Sequence, residues 1–263
     1  MHPFAELNVP EGHVGIHWFE QNAYAFKDSQ GRITLVDPYF PRDRPPERFI
    51  RPTPPVDEAT LPTTYVVFTH AHNDHTNSET VARIHAAWPK ARFIGPWESI
   101  TQILLETDVQ AEETRILAAG DVSTQDGLNV YAVYAKPAEG DPKAGIAPPK
   151  VTHLSVILEI EGLRLYVSGD TINTIAEHDE LVYPAAALEP DIGFITTHPT
   201  EGEFPFFDGS IVLAQKLGLK TAVPSHYECF AKRTYDPRAW IAHFPKGRPQ
   251  PLVIPWNSSV VYP

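Results

Sequence analysis

The segment Tyr65-Val-Val-Phe68-Thr-His-Ala-His-Asn-Asp-His-Thr76 decides how this chain is read. An apolar run ends in a polar loop that carries His70, His72, Asp74 and His75, four metal-ligand side chains within six positions. Side chains alternate along an extended strand, so a buried strand entering such a loop can aim His70 and His72 at one cation and Asp74 and His75 at a second beside it. The order His-x-His-x-Asp-His therefore predicts a two-metal site rather than a histidine-rich surface turn.

Three later positions complete the ligand set. His153 opens the strand-like run Leu154-Ser-Val-Ile-Leu158, Asp170 follows Leu165-Tyr-Val-Ser-Gly169 in a tight turn, and His226 ends Thr221-Ala-Val-Pro-Ser225. Each places one polar side chain at a strand end, where loops carry chemistry on a rigid scaffold. The expected partition is His70, His72 and His153 on one metal, Asp74, His75 and His226 on the other, with Asp170 bridging. A water shared by two cations is acidified, which gives a hydroxide nucleophile at neutral pH directed at a carbonyl or phosphoryl centre. Imidazole and carboxylate ligands without thiolate suit two divalent transition-metal ions, Zn, Mn or Fe. Asp74 is also a candidate for proton handling, and His198, placed after a predicted strand over 192–196, is a candidate proton donor. Asp37 could bond a ligand histidine from behind, and Tyr227 and Glu228 could orient His226. His85 falls inside a helical pattern, and Cys229 reads as a small buried hydrophobe.

Around these residues the pattern predicts alternating layers. Val14 to Phe19, Ala23 to Phe26 and Ile33 to Val36 form an opening β-meander, and proline-rich 38–62 forms a long surface loop. Asn77 caps a helix that carries Val81, Ile84 and Trp88, a strand spans 93–95, and a second helix runs from Trp97 to Leu105. The second half restarts with a strand over 127–134 and continues with a hairpin of 152–160 and 163–167 turning at Glu161-Gly162. A strand at 192–196, a helix from Asp208 to Leu217, a strand at 222–223 and a helix around 237–244 follow, and Leu252-Val-Ile and Ser259-Val-Val complete the sheets. Two sheets with helices outside them predict an α/β fold, a four-layer αββα sandwich formed as one domain over 1–263.

Composition narrows the partners. A formal charge of −12 without a Lys/Arg cluster argues against nucleic acid and anionic membrane, and Lys232-Arg233 is the nearest approach to such a cluster. One cysteine excludes a disulfide framework and points to the cytoplasm. No run approaches the ~20 apolar residues of a membrane span. The expected partner is a small-molecule substrate, and homo-oligomerisation is compatible with the composition.

The ligand pattern resembles the metallo-β-lactamase superfamily, which shows a Thr-His-x-His-x-Asp-His loop, a later strand histidine, a Gly-Asp turn and a final histidine. That resemblance spans nearly the whole chain and implies the αββα fold and a mono- or dinuclear site at His70, His72, Asp74, His75, His153, Asp170 and His226. Finer features, Trp18 to Tyr24, Val36-Asp-Pro-Tyr-Phe40, Ser168-Gly-Asp-Thr171 and Val223 to Phe230, are similar to the L-ascorbate-6-phosphate lactonase-like branch. The resemblance implies a metal-dependent hydrolase opening a lactone or phosphoester of a small metabolite. The alternatives are a glyoxalase II-like thioester hydrolase and a metal-stabilised, non-enzymatic binding protein.

Overall fold

The computed structural model of the protein describes residues 1–247 and 249–263. The first sheet contains β1 (Val14–Glu20), β2 (Ala23–Lys27), β3 (Ile33–Val36), β4 (Tyr65–Val67), β5 (Arg92–Gly95) and β6 (Thr114–Ile116). The second contains β7 (Val122–Gln125), β8 (Leu128–Tyr134), β9 (Leu154–Ile160), β10 (Leu163–Val167), β11 (Ile192–Thr196), β12 (Thr221–Ser225) and β13 (Gln250–Pro251). The last strand, β14 (Ser258–Tyr262), returns to the first sheet and lies antiparallel to β1. Strand order is β14-β1-β2-β3-β4-β5-β6 in one sheet and β13-β12-β11-β10-β9-β8-β7 in the other.

Side-chain alternation divides the core into three layers of contact, and these make the αββα sandwich. Val14, Ile16 and Trp18 from one face of β1 join Val156, Leu158, Leu165 and Phe194 between the sheets. The opposite face of the first sheet, with Phe19, Ala25, Leu35, Val66 and Phe93, packs on Val81 and Ile84 of α2 (Ser78–Ala87) and Ile100 and Ile103 of α3 (Trp97–Glu106), while Phe4 of the short α1 (Pro3–Glu6) covers its edge. The outer face of the second sheet, with Ile157, Tyr166 and Ile195, packs on α4 (Asp179–Ala186), α5 (Phe207–Lys216) and Trp240 of α6 (Pro237–Ile241). Asn77 caps α2 as expected, its side chain accepting from Thr80 N at 2.9 Å.

The structure departs from the sequence reading at the C-terminal end. Leu252-Val-Ile is not a strand; the short β13 precedes it and pairs with β12 at Thr221 and Ala222. The last helix stops at Ile241 rather than near Phe244. The strands β6 and β7 and the helix α4, none of them predicted, complete the layers. Among the described residues, no helix is long and apolar enough to cross a membrane.

β14 is anchored by a buried histidine. His17 Nε2 lies 2.9 Å from Asn257 Oδ1 and Nδ1 lies 2.7 Å from Ser259 Oγ, which fits a neutral ring that donates to the amide and accepts from the hydroxyl. Burial lowers the His17 pKa to about 4, with Asn257 pulling it up and His2 pushing it down. The unfolded chain then binds the proton more tightly, so the stabilisation is complete above about pH 6.5 and is lost as pH falls through about 4. We expect this group to account for about 3 kcal/mol of the acid loss. Denaturant unfolding of wild type and His17→Gln across that window measures it, and identical pH slopes would contradict it.

Candidate metal centre

The site lies where the loops of both sheets meet, and backbone hydrogen bonds join the two sides. Leu154 N donates to Thr69 O at 3.0 Å, tying the start of β9 to the loop after β4. His226 N donates to Gln21 O at 3.0 Å and Gln21 N to Tyr227 O at 2.9 Å, tying the β1–β2 turn to the loop after β12. These links place His153 beside His70 and His226 beside His75. Gln21, Asp37 and His226 sit at positive φ, 54°, 45° and 70°, where non-glycine residues are uncommon. Gly169, at φ +55°, precedes Asp170, and a Cβ there would stand 2.5 Å from Leu154 O and 2.9 Å from Thr69 Cβ. Only glycine lets this turn approach the β4 loop so closely.

All seven expected ligands come together. His70, His72 and His153 form one group, and Asp74, His75 and His226 another, with the potential ligand atoms of each within 4.8 Å of one another. His70, His75 and Asp170 form a third group between them. Asp170 Oδ1 lies 3.2 Å from His75 Nε2 and 3.1 Å from His226 Nε2, and its Oδ2 lies 3.6 Å from His70 Nε2. His70 Nε2 is 3.0 Å from His72 Nδ1, and His75 Nε2 is 3.3 Å from His226 Nε2. His70, His75, His153, Asp170 and His226 are buried, whereas His72 and Asp74 face the openings.

Electrostatics and tautomers fit a cation here. Asp37, fully buried, takes His75 Nδ1 at 2.7 Å, Thr69 N at 2.8 Å, Thr69 Oγ1 at 2.6 Å and Asn22 Nδ2 at 2.7 Å. A neutral His75 that gives its Nδ1 proton to Asp37 presents an Nε2 lone pair to the centre. His75 Nε2, His226 Nε2 and Asp170 Oδ1 converge within 3.3 Å, an arrangement that calls for a cation, or in its place a ring proton, among them. Burial, the largest single influence on His75, opposes its protonation, yet Asp170, Asp37 and Asp74 together hold its pKa well above the ordinary value. Burial also works against the charge on Asp170, but His226, His75 and His70 keep its carboxyl well below the usual range. His153, lowered to about 3 by burial and then by Lys136, is neutral, as a ligand imidazole must be. The buried atoms His153 Nδ1 and Asp170 Oδ1 have no hydrogen-bond partner among the described residues.

Other expectations fare differently. His198 stands outside the three groups; its Nδ1 accepts from Thr200 N at 3.2 Å and Glu201 N at 2.9 Å, which leaves the proton on a buried Nε2 that has no partner among the described residues. Glu228 does not orient His226, because it is turned to Arg51 with Oε2 at 2.5 Å from Nη2. Tyr227 stacks on Trp18 and Tyr235 instead of bonding the imidazole. His85 pairs with Glu113 at 3.0 Å on the far side of α2. Burial pushes the Cys229 thiol up, which suits a packed sulfur and not a nucleophile.

Sequence reasoning missed Gln21 as a site residue. Its Nε2 donates to Asp74 Oδ2 at 2.9 Å and lies 2.8 Å from His226 Nε2, and its buried Oε1 has no partner among the described residues. The signal was two amides, Gln21-Asn22, at a tight turn inside an otherwise apolar hairpin.

The profile of the Beta-lactamase superfamily domain matches residues 32–227. A UPF0173 metal-dependent hydrolase of Polynucleobacter asymbioticus is 26% identical over 235 residues, covering 82% of this chain and 75% of that protein. One from Oenococcus oeni is 25% identical over 245 residues, covering 88% and 94%. Among solved structures, Igni18, a metallo hydrolase from Ignicoccus hospitalis, superimposes with a TM-score of 0.70 at 18% identity, covering 95% of this chain and 99% of that one.

Asp37→Asn keeps the shape of the carboxylate but turns one accepting oxygen into a donor facing Thr69, Asn22 or His75. Metal affinity should fall by about 10–100-fold with the fold intact by circular dichroism. Competition with a chromophoric chelator measures this, and an unchanged affinity would remove Asp37 from the support of the centre.

Proposed function

The chain belongs to the beta-lactamase superfamily as a metal-dependent hydrolase with a His/Asp metal-binding cluster, and on that footing we propose that it is a dinuclear enzyme that opens a lactone or phosphoester of a small metabolite. The observation that carries the reading is Asp170, whose two oxygens face two different histidine groups, Oδ1 toward His75 and His226 and Oδ2 toward His70. His70, His72 and His153 would hold one cation, Asp74, His75 and His226 the other, and Asp170 would touch both. Bound there, divalent zinc, manganese or iron supplies an acidified water and Lewis-acid polarisation of a carbonyl or phosphoryl oxygen.

The remaining work falls to side chains. Asp74 lines the larger of the clefts at the centre, while His72 and His153 line a smaller one, so the Asp74 carboxylate can meet both the centre and a substrate in that larger cleft. It can take a proton from the attacking water and return it to the leaving group. Gln21, donating to Asp74 Oδ2, fixes which oxygen is turned toward the cleft. His198 is held as the Nε2–H tautomer by two backbone amides, so it could serve only as a donor and not as a base, and it would do so only for a substrate that reaches its buried Nε2. Burial lowers its pKa and keeps it neutral at working pH. The fully buried Asp37 and Thr69 hold His75 still, which lowers the reorganisation needed when charge develops.

A screen of the metal-loaded protein against lactones, phosphodiesters, phosphomonoesters and thioesters tests the substrate class. Asp74→Asn, checked to retain its metals, should lower kcat by about 10²-fold or more on the best substrate with a smaller change in KM. Turnover of thioesters alone would replace the proposed chemistry, and undiminished turnover in metallated Asp74→Asn would remove Asp74 from proton transfer.

A further inference from the structure

An open cleft of about 440 Å³ leads outward from Asp74 and is lined by Glu47, Arg48, Phe230, Lys232 and Arg233. That size lies within the ~300–1,000 Å³ typical of small-molecule sites. Its walls come from two loops, the long one over 38–62 and the one after His226, and they are built against each other. Phe49 and Phe230 form an antiparallel bridge, Ala231 N donates to Arg48 O at 2.9 Å, and Ile50 N donates to Cys229 O at 3.0 Å. Beneath them, fully buried side chains of Glu20 and Arg44 pair at 2.6 Å, and Arg51 lies 3.9 Å over the Trp256 ring while bonding Glu228. Both cleft walls are thus fixed to the same scaffold as the metal ligands.

The charge on these walls runs against that of the whole chain, which has 33 acidic and 21 basic residues. The Arg48 guanidinium lies 5.2 Å from the Phe49 ring centre and 5.3 Å from that of Phe230, with Nη2 donating to Tyr39 Oη at 3.3 Å. Its partners are rings and a hydroxyl, whereas Arg44 beneath it and Arg32, Arg83 and Arg164 elsewhere are paired with carboxylates. Such stacking orients a guanidinium without spending its charge. Lys232 is exposed and has no carboxylate partner among the described residues, and Arg233 is held by Glu201 at 3.1 Å. Glu47 is the opposing carboxylate on the rim, and Asp74, with Oδ2 held by Gln21, stands at the inner end of the cleft. Arg48 and Lys232 therefore leave cationic surplus at the mouth of a cleft whose inner end is the catalytic centre, with Phe230 as an apolar surface between them.

We infer that this cleft is the substrate subsite and that it takes an anionic organic molecule, a carboxylate or phosphate bound between Arg48 and Lys232, with the rest of the molecule along Phe230 and its scissile group at Asp74. The inference deepens the hydrolase reading and rests on it. It also narrows the class: an uncharged lactone or ester would leave the two cations without a partner, while a substrate with a charged group remote from the scissile bond would use them.

The test uses matched pairs of esters and lactones, each with and without a remote carboxylate or phosphate, on the metal-loaded full chain. Wild type should favour the anionic member by about tenfold or more in kcat/KM, mostly through KM, and the preference should shrink as salt is raised. Arg48→Ala/Lys232→Ala should bring the ratio close to one, and Lys232→Glu, an exposed change that does not threaten the fold, should lower it at least as far as Lys232→Ala. Lys90→Ala, on the surface away from the cleft, serves as the charge control. A ratio that stays the same in Lys232→Glu and in the double variant, or a wild-type preference for neutral members, would overturn the subsite. If no member is hydrolysed, the hydrolase reading fails separately, and calorimetric titration with phenyl phosphate and with benzoate then reads the subsite alone. Binding that weakens about tenfold in Lys232→Glu upholds it; binding equal in both proteins assigns the anion to the metals and overturns it. A response to phenyl phosphate only, or to benzoate only, identifies the anion.

Discussion

The hydrogen bonds converging on the Asp37 carboxylate are the constraint on which this structure depends. The group is wholly buried at the end of β3 and satisfied by His75, Thr69 and Asn22. Removing any one of these leaves a buried acceptor short of a donor, at a cost of about 1–3 kcal/mol or more for a charged group. Through His75 it sets the tautomer at the centre, through Thr69 the exit of the histidine loop, and through Asn22 the β1–β2 turn. Asn22 Oδ1 in turn accepts from Ser225 Oγ at 2.6 Å, one residue before His226. A single carboxylate thus links the two sheets' contributions to the site.

Holding so many ionisable groups in one seam costs stability, and the architecture shows where the cost is offset. Positive φ at Gln21, Asp37 and His226 carries about 1–3 kcal/mol each for non-glycine residues. Gln21 and His226 are fixed by hydrogen bonds between the sheets and Asp37 by bonds within the first sheet and its loops, and Trp18 stacks on Tyr227 at 4.5 Å beside them. The mutual repulsion of imidazole lone pairs and carboxylates is of a kind that bound cations relieve. A cation bound there would stabilise the folded chain, since the unfolded chain does not hold these ligands together.

The convergence of the seven candidate ligands was legible in the sequence because strand ends impose geometry. His70 and His72 follow β4, His153 precedes β9, Asp170 follows β10 and His226 follows β12, and each run of apolar residues marks its strand. The layered fold was legible for the same reason, through Val14 to Phe26 and Leu154 to Val167. Gln21 was not, since an amide in a hairpin turn has many ordinary uses and its contacts to Asp74 and His226 are 53 and 205 residues away in sequence. Arg48 was equally hidden in a proline-rich loop, and the cationic surplus it makes with Lys232 exists only because Phe49 and Phe230 pair. The α4 helix escaped because Pro184 interrupts its pattern. The sheet after Pro251 was misread because Leu252-Val-Ile is apolar but pairs with β12 only at its first residue's backbone.

The central claim is that Asp170 joins two ligand groups into one dinuclear centre. Metal content per chain, measured by elemental analysis of wild type and Asp170→Ala after equal metal loading, tests it most directly. The account predicts close to two transition-metal ions in the wild type and depletion of both in the variant. Two ions retained in Asp170→Ala, or a fully loaded wild type with only trace metal, would contradict it.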